Sequence, residues 1–291
     1  MKPYSAVAVG TFDGLHRGHQ YLINRLLKIS ETKKLKSVVV ALSAPVRQVP
    51  GVLSTVREKE KLLAQFPIDD VVILPNTSDI TSQPADQFLN EFLIDRLKAR
   101  EFVIGQDFAF GKGRKGDINW LKAQSENNNI TVEVIKPIYF KDEVISSSQI
   151  RKLVLEGDIK TANQLLGSFY LISSKPVRGR GLGTRIGFPT INLVPEKNKL
   201  LPQGVFCAWC SSQNKTFPSV VNIGSRPTFF SDAVVTVEIH LLGYKGAWKS
   251  KETSIYLCNK LREEARFSNS RELAAQIADD VKKAGNYFAV K

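Results

Sequence analysis

The sequence predicts two domains, an α/β domain built on a parallel sheet and a small antiparallel β-barrel with a C-terminal helix. A length of 291 residues suits two domains of average size. Over the first half, apolar β-type runs alternate with helical patterns. After Gly167 this alternation stops, and short β-type runs are separated by Gly, Pro, Asn and Ser. We therefore expect domains at residues 1–167 and 168–291.

The first domain is predicted from five apolar runs and the helical patterns between them. The runs typical of buried strands are Ala6–Gly10, Ser37–Leu42, Val71–Leu74, Phe102–Gly105 and Ile130–Ile135. The helices predicted between them are Tyr21–Ile29, Thr55–Phe66, Ala85–Arg100 and Ile118–Asn127. Strands separated by helices indicate a parallel sheet with right-handed crossovers. Two short helices, Ser148–Glu156 and Ile159–Leu166, then end at glycines, which commonly stop helices.

The second domain is predicted from short strands and one long helix. The β-type runs are Phe169–Ile172, Ile191–Val194, Val205–Cys210, Ser219–Ile223, Val235–Leu242 and Ser254–Cys258. Turn-forming residues between them indicate an antiparallel barrel or sandwich. The chain ends with a predicted helix, Arg271–Phe288, whose apolar stripe contains Leu273, Ile277 and Val281.

Composition narrows the class of protein. With 43% hydrophobic and 24% charged residues, the chain is neither disordered nor fibrous in character. No apolar run approaches the ~18 residues that span a bilayer, and the first ten residues predict a strand rather than a signal peptide. Three cysteines do not form a disulfide framework, so a reducing cytoplasm is expected. Cys207 and Cys210 lie three apart on a predicted strand and are expected to be core residues on opposite faces.

The net charge of +13 indicates an anionic ligand, and +9 of it lies after Gly167. A basic surface attracts nucleic acids or phosphorylated small molecules, although a charge that serves solubility alone explains the same composition. The chain contains no recognised nucleic-acid motif, and its strongest motifs suit mononucleotide phosphates. We therefore expect no nucleic-acid partner and no membrane partner.

The segment TFDGLHRGH, from Thr11 to His19, follows the first predicted strand and opens the first helix. Ligands of open parallel sheets bind at the carboxyl ends of the strands, often against a helix N-terminus. His16 and His19 are three apart and share a helix face, and Gly18 between them would let a phosphate approach the backbone. Two imidazoles and helix-end N–H groups suit an in-line phosphate displacement. The alternatives are weaker: a capping turn with incidental histidines, or a zinc site, whose usual spacing is absent.

Five motifs in one order carry a family resemblance. GTFDGLHRGHQ is similar to the H-x-G-H signature of the nucleotidyltransferase superfamily, and no dinucleotide-binding or Walker motif competes with it. The other segments are Val103–Asp117, Ile145–Arg151, Gly187–Asn192 and the series Asn222–Phe229, Glu238 and Leu261–Phe267. Together they resemble the bifunctional bacterial FAD synthetases, which join riboflavin kinase to FMN adenylyltransferase. The resemblance spans nearly the whole chain and implies a nucleotidyltransferase-like first domain.

The resemblance assigns an adenylyltransferase site to the first domain. His16 and His19 are the expected catalytic residues. The residues expected to bind nucleotide or phosphate are Gly10, Phe12, Asp13, Gly14, Gly18, Ser146, Ser147, Ser148 and Arg151. The serines begin a helix, so plain N-capping is an alternative for them, and a surface position is the alternative for Arg151. Asp107, Phe108, Phe110 and Arg114 are expected on the flavin side, with core packing as the alternative for the two phenylalanines.

A riboflavin kinase site is expected in the second domain. Arg178–Arg185 is rich in glycine and arginine, which would cradle phosphates through Arg178, Gly179 and Gly181, with Gly187 beyond it; a basic surface turn is the alternative. Thr190 and Asn192 alternate along a predicted strand and offer hard oxygen ligands to Mg²⁺. Glu238 is the expected general base, unless it is a plain strand glutamate. The resemblance also places Arg262 and Phe267 at the flavin.

The expected function is ATP-dependent phosphorylation of riboflavin to FMN, followed by adenylyl transfer to FMN, which gives FAD and pyrophosphate. Riboflavin, FMN and ATP are the expected partners and Mg²⁺ the expected cofactor. Two departures from the family stand out: Leu42–Val46 lacks the histidine of its Pro-x-His-Pro element, and Gly243–Trp248 replaces its Asp-Leu-Tyr-Gly. The first leaves open a kinase whose adenylyltransferase domain is inactive, and the charge leaves open a nucleic-acid-binding protein.

Overall fold

The computed structural model describes residues 3–179, 181–212, 215–226, 234–246 and 248–289. The chain divides into two compact units, Met1–Ser147 and Ser148–Lys291. This division groups residues 148–166 with the second unit, whereas the sequence places them in the first domain. The boundary at 167/168 stays a prediction. Arg180, Pro227–Phe229 and Ala247, which belong to motifs named above, lie outside the described residues.

The first unit alternates strands and helices as the sequence predicts. Its strands are β1 (Ser5–Gly10), β2 (Lys36–Leu42), β3 (Asp70–Leu74), β4 (Ala99–Gly105), β5 (Ala109–Phe110), β6 (Gly116–Asp117), β7 (Thr131–Ile135), β8 (Tyr139–Phe140) and β9 (Glu143–Val144). Its helices are α1 (Arg17–Thr32), α2 (Val56–Leu63), α3 (Ser78–Thr81), α4 (Ala85–Gln87) and α5 (Ile118–Asn128), and a π-helix over Phe88–Arg96 continues α4.

Five strands form one parallel sheet in the order β3-β2-β1-β4-β7. Val7, Val38 and Ile104 are fully or almost fully buried, as expected for parallel strands that are covered on both faces. Helix α2 begins with a capping box in which Thr55 and Glu58 satisfy each other's backbone N–H groups.

Two predictions for this unit need correction. The predicted helix Ala85–Arg100 ends at Arg96, because Lys98 adopts a left-handed conformation (φ 54°) and Ala99 already belongs to β4. The Asp107–Asp117 segment, for which the sequence predicts no strand, forms a short hairpin of β5 and β6. Its turn fits because Gly111 (φ 72°) lies where a Cβ atom would meet the backbone of Ala85 at 2.7 Å.

Among the described residues, the second unit contains three short helices, one antiparallel sheet and a long final helix. The helices are α6 (Ser147–Glu156), α7 (Ile159–Leu166), α8 (Leu182–Arg185) and α9 (Ser270–Ala289). The first residue of α6, Ser147, still belongs to the first unit. The strands are β10 (Tyr170–Ser174), β11 (Pro176–Val177), β12 (Ile191–Leu193), β13 (Gly204–Ser212), β14 (Lys215–Arg226), β15 (Val234–Leu241) and β16 (Thr253–Arg262). The short β11 and α8 were not predicted.

The seven strands pair in the order β10-β16-β13-β14-β15-β12-β11 and curl into a half-barrel. The antiparallel pairing and the C-terminal helix confirm the sequence prediction in outline, and closure into a full barrel stays a prediction. One face carries buried residues such as Phe206, Val221 and Ile239. The other face packs Val205, Cys207, Val220 and Cys258 with Ala284 of α9.

The side chain of Asn163 explains why α7 groups with this sheet. Its amide N–H donates to the carbonyl oxygen of Leu257 at 2.9 Å, and its Oδ1 accepts the backbone N–H of Tyr170 at 2.8 Å. Helix α7 is thus bonded to both β16 and β10. Cys207 and Cys210 are both buried and form no disulfide, as expected for core cysteines. Within the described residues, no helix is long and apolar enough to cross a membrane.

Candidate active sites

The first candidate site lies where the strand order of the parallel sheet reverses. From β1 the chain runs through α1 to β2 on one side, whereas β4 pairs with β1 on the other side. In open α/β sheets, ligands bind at such a switch point, outside the carboxyl ends of the strands. The loops that follow β1 and β4 carry the histidine motif and the Asp107–Asp117 segment. The topology therefore places these two motifs at the edge where a ligand is expected.

The turn after β1 has an unusual backbone. Phe12 and Leu15 adopt left-handed conformations, with φ of 48° and 44°, and Gly14 does so with φ of 78°. Non-glycine residues rarely adopt this conformation, and their cost is met only where the surroundings hold them. Phe12 and Leu15 are both buried, so packing of their side chains holds the turn.

Asp13 fastens this turn to the loop before α2. Its carboxylate accepts the backbone N–H groups of Leu53 at 3.1 Å and Ser54 at 2.9 Å. The N–H of Gly14 donates to the hydroxyl of Ser54 at 3.0 Å. The hydroxyl of Ser147, at the start of α6, donates to the backbone carbonyl of Asp13 at 2.9 Å. Ser147 and the histidine motif, which both belong to the first unit, therefore meet at Asp13, whose carboxylate is engaged by the protein itself.

His16 and His19 lie on one face, as their spacing predicts. Their rings stack with centroids 3.7 Å apart and an angle of 22° between the planes. His16 is the N-cap residue of α1, and its ring lies against Gly18, where a Cβ atom would come within 3.1 Å of the imidazole. The sequence predicts that Gly18 leaves space for a phosphate to approach the backbone. The structure instead places the His16 ring in that space.

The His19 imidazole is held in its neutral form. Burial lowers its pKa well below the usual 6.5, and the neighbouring His16 and Lys59 lower it further. Its Nδ1 is buried, and no hydrogen-bond partner for that atom lies among the described residues. A neutral imidazole donates through one ring nitrogen and accepts through the other. His19 is therefore suited to donate one hydrogen bond to a phosphate rather than to act as a cation.

Lys59 is a buried cation beneath this turn that the sequence did not reveal. It is 0% exposed, and its Nζ donates to the carbonyl oxygens of Thr11 at 2.7 Å, of Leu42, and of Ser43 at 3.5 Å. Burial lowers its pKa to about 8. The available signal was its spacing, because Lys59 shares one face of α2 with the buried Leu62 and Leu63.

The start of α6 carries the predicted serines, and Arg151 lies one turn further along the same helix. The helix begins at Ser147, so Ser146 precedes it and Ser148 lies in its first turn. Ser148 and Arg151 belong to the second unit. Arg151 is only 4% exposed, so the alternative of a surface arginine is wrong.

The hairpin after β4 packs its aromatic residues into the core of the first unit. Phe110 contacts Phe108, Phe88 and Trp120 with centroid distances of 5.4, 5.5 and 5.7 Å. This is the core packing that was the alternative to flavin contact. The exposed Arg114 donates from Nη2 to the backbone carbonyl of Asp107 at 2.9 Å. Arg114 and Asp107 are thus brought together at the base of the hairpin.

The second candidate site is a row of polar residues across three strands. Asn192 of β12 pairs with Glu238 of β15, which in turn pairs with Asn222 of β14. Directly opposed residues of antiparallel strands point to the same face of the sheet. Glu238 is half-buried and Asn192 is 9% exposed. The structure therefore brings the predicted base beside one of the two predicted Mg²⁺ ligands.

The glycine-rich segment lies directly against Thr190 and Asn192. A Cβ atom on Gly179 would overlap the side-chain amide of Asn192, and one on Gly183 would overlap the carbonyl oxygen of Phe188 and approach the Thr190 hydroxyl to 3.3 Å. Gly181 and Gly187 adopt left-handed conformations, with φ of 73° and 89°. Arg178 is exposed. The segment is thus close enough to cover a ligand held by the two side chains.

Arg262 is anchored to the C-terminal helix. Its Nε and Nη2 donate to the carboxylate of Asp280 at 2.8 to 3.1 Å, and its Nη1 donates to the backbone carbonyl of Glu263 at 2.9 Å. Its guanidinium carbon lies 5.8 Å from the centre of the Phe267 ring. Asp280 is buried and was not identified from the sequence, although it adjoins the apolar stripe of α9.

Comparison with known proteins decides the family. A family model described as FAD synthetase matches residues 2–149, and one described as riboflavin kinase matches residues 166–288. A bifunctional riboflavin kinase/FMN adenylyltransferase from Buchnera aphidicola subsp. Schizaphis graminum is 33% identical over 98% of this chain and 94% of its own length. The chain belongs to the bifunctional riboflavin kinase/FMN adenylyltransferase family.

One further member of the family and one solved structure are also similar to this chain. The riboflavin kinase/FMN adenylyltransferase of Escherichia coli K12 is 31% identical, over 98% of this chain and 93% of its own length. A crystal structure of a macrolide-efflux protein from Streptococcus pneumoniae has a TM-score of 0.86 at 25% identity, covering 98% of this chain and 95% of that one. The FAD synthetase model contains the His16–His19 turn, and the riboflavin kinase model contains Thr190, Asn192 and Glu238.

Proposed function

We propose that the chain carries out two successive transfers from ATP, phosphorylating riboflavin to FMN and then adenylylating FMN to FAD. The observation that carries the proposal is that each family model spans its own constellation of polar residues, one on each unit. The ligands are riboflavin, FMN and ATP, whose phosphates suit the net charge of +13. We propose a cytoplasmic location and neither a nucleic-acid nor a membrane partner.

Adenylyl transfer is proposed for the turn after β1. An oxygen of the FMN phosphate attacks the α-phosphorus of ATP, and the bond from that phosphorus to the β-phosphate oxygen breaks and releases pyrophosphate. The nucleophile is already an anion, so no strong base is needed. His19, neutral because it is buried, donates a hydrogen bond to the phosphate that gains charge, and His16 lies stacked beside it. The N-terminus of α1 favours the same charge through the helix dipole.

The remaining residues of this site have narrower proposed roles. Gly10 leaves room for the Phe12 ring to pack against β1 and so helps to set the shape of the turn, since a Cβ atom on Gly10 would meet that ring at 3.3 Å. Asp13, Gly14 and Ser147 hold the turn through the hydrogen bonds described above. Ser146, Ser148 and Arg151 stay proposed phosphate ligands. Asp107 and Arg114 stay proposed flavin contacts, and Phe108 and Phe110 act mainly by packing.

Phosphoryl transfer is proposed for the polar row of the second unit. Riboflavin carries a neutral primary hydroxyl, so its attack on the γ-phosphorus of ATP requires loss of a proton. Glu238 takes this proton, the hydroxyl oxygen bonds to phosphorus, and ADP leaves. Arg178, Gly179, Gly181 and Gly187 are proposed to surround the phosphates. Phe267 is the proposed flavin contact, and Arg262, whose donors are bonded to Asp280 and Glu263, holds the segment that carries it.

The donor set beside Glu238 fits a magnesium ion. Thr190 offers a hydroxyl and Asn192 an amide oxygen, and both lie beneath a glycine segment in which a Cβ atom would fill the space. Mg²⁺ is usually held by few protein oxygens together with substrate phosphates. When bound, the ion neutralises charge on the phosphate oxygens.

One alternative function has a specific observation in its favour. Leu42–Val46 lacks the family's histidine, which supports a riboflavin kinase whose adenylyltransferase unit is inactive. The test is to incubate the protein with riboflavin, ATP and Mg²⁺ and to separate the flavins by chromatography. We expect both FMN and FAD. FMN that never becomes FAD, even when supplied directly with ATP, would establish the alternative, and no FMN at all would overturn the proposal.

A further inference from the structure

His240 stands at the point where the pairing of β12 with β15 stops. The last pair of this ladder toward the start of β12 is Ile191 with Ile239. Pro189 therefore lies beyond the ladder, and its carbonyl oxygen has no strand N–H opposite it in the register. The imidazole Nδ1 of His240 lies 3.0 Å from that oxygen and takes the place of the missing ladder bond. The ring of Phe188 also meets the imidazole edge-on, with centroids 5.5 Å apart.

This contact fixes the backbone on both sides of Thr190. On one side Ile191 is paired with β15, and on the other side Pro189 is bonded to His240 of the same strand. Gly183 lies directly against the carbonyl oxygen of Phe188 and the hydroxyl of Thr190. His240 is also two residues from Glu238, so both side chains project from the same face of β15.

We propose that His240 is a positioning residue for riboflavin phosphorylation, because its Nδ1–H holds the Phe188–Thr190 segment against β15 and keeps Thr190 beside Asn192. The inference rests on the proposed kinase function and adds to it a residue that acts through the backbone of its neighbour. What matters is a hydrogen-bond donor at the position of Nδ1, since the carbonyl oxygen of Pro189 can only accept.

Two substitutions separate the donor from the ring. Asparagine places its amide nitrogen the same number of bonds from the backbone as Nδ1, so His240→Asn keeps a donor toward Pro189. Leucine fills a similar volume and has no donor, so His240→Leu removes the bond and retains the packing against Phe188. The two variants differ in the hydrogen bond and share the loss of the aromatic ring.

The experiment compares wild type, His240→Asn and His240→Leu in three measurements at 20 °C. Riboflavin phosphorylation should fall about tenfold in kcat in His240→Leu and stay within about threefold of wild type in His240→Asn, as expected for one hydrogen bond. Adenylylation of supplied FMN should be equal in all three. Amide hydrogen exchange of a peptide over residues 187–193 should be faster in His240→Leu alone.

The results that overturn the proposal are equally definite. Wild-type phosphorylation in His240→Leu, or equal losses in both variants, would show that the donor does not position the segment. A merely structural histidine would lower the melting temperature and leave kcat unchanged. If the wild-type protein makes no FMN, the kinase function itself fails, and hydrogen exchange still decides whether the imidazole holds residues 187–193.

Discussion

The His16–His19 turn and the Asn192–Glu238 row hold their polar groups by different physical means. In the first, two stacked imidazoles lie on a turn with left-handed residues, fixed from below by the buried Asp13 and Lys59. In the second, side chains project from paired strands, and a glycine-rich segment covers them. The first site is held in place by buried charged side chains. The second requires glycines at positions 179 and 183 of the covering segment, because a side chain there would collide with the residues beneath it. Substitutions of charged residues and of glycines should therefore affect the two sites differently.

The largest effects should come from a reciprocal pair of substitutions. His19→Ala should slow FAD formation from FMN by roughly 10²–10³, because one preorganised contact to the reacting phosphate is lost. Glu238→Gln should slow riboflavin phosphorylation by roughly 10²–10⁴, because the general base is removed at constant size. Each variant should retain the other activity. The measurement is separate initial rates with riboflavin and with FMN as substrates.

Each variant of this pair is the folding control for the other. Loss of phosphorylation in His19→Ala, or normal phosphorylation in Glu238→Gln, would show that the two chemistries are not divided between these residues.

Glycine substitutions should damage the second site more than the first. In Gly179→Ala and Gly183→Ala the new methyl group overlaps Asn192 or the Phe188 carbonyl. If overpacking of about 1–3 kcal/mol falls on the transition state, phosphorylation should be about five- to 150-fold slower. Gly18→Ala presses only on the His16 ring and should reduce adenylylation less.

The matched control for these glycines is Gly285→Ala. Apart from the chain neighbours and the nearby backbone of α9, no atom of the described residues lies within 4 Å of a Cβ at this position, so the change should raise the free energy of unfolding by about 0.5–1 kcal/mol and leave both activities intact. If Gly179→Ala behaves like Gly285→Ala, the segment is not close to Asn192 in solution.

A pair of fragments tests where the second unit begins. Residues 168–291 lack α7, and with it the Asn163 hydrogen bonds and the buried Ile159, Ala162 and Leu165. We expect the free energy of unfolding of this fragment to be lower than that of residues 148–291 by about 3 kcal/mol or more. Thermal unfolding and riboflavin phosphorylation of both fragments are the measurements. Equal stability would favour the boundary at 167/168.

Lys59→Met tests the buried charge of the first site. The side chain keeps its length but no longer donates to the carbonyls of Thr11 and Leu42, and hydrogen bonds from charged groups are worth about 1.5–3 kcal/mol. We expect adenylylation to fall at least about tenfold and phosphorylation to persist. Lys28→Met, an exposed position of α1, is the control and should change neither rate.

The smallest expected effect concerns acid stability. Because the pKa of His19 is below 6.5 when folded, the unfolded chain binds a proton below pH 6.5 that the folded chain excludes. The free energy of unfolding of the first unit should therefore fall as the pH drops from 6.5, by at most about 1.4 kcal/mol per pH unit. Urea unfolding between pH 7 and 5 should show a shallower decline in His19→Gln. Parallel curves would mean that His19 is not held neutral.

Much of this architecture is predictable because its signals are local. The strands of the parallel sheet and the long helices α1 and α9 follow from apolar periodicity, and the His16–His19 stack follows from a spacing of three. The end of the π-helical segment at Arg96 does not, since it coincides with the left-handed conformation of Lys98, which apolar periodicity does not reveal. The β5–β6 hairpin does not either, since its turn packs against Ala85, which is distant in the sequence. The curl of the antiparallel sheet has no local signal either.

The same limit applies to the residues that support the sites. Lys59, Asp280 and His240 bond to carbonyls or to an arginine that only the folded chain brings near them. A lysine in a helix and a histidine in a strand are ordinary in sequence. Lys59 and His240 act on backbone carbonyl oxygens, which every residue has and which therefore leave no pattern in the sequence.

The placement of the three cysteines makes the second unit chemically distinguishable. Cys207, Cys210 and Cys258 are the only cysteines of the chain, all lie in the half-barrel, and all are buried thiols that form no disulfide. Burial also raises the pKa of Cys210 to about 12, so its thiol is unreactive until the sheet opens. The rate at which an alkylating reagent consumes thiols therefore reports the opening of this unit alone, and the cysteine-free first unit contributes no signal to it.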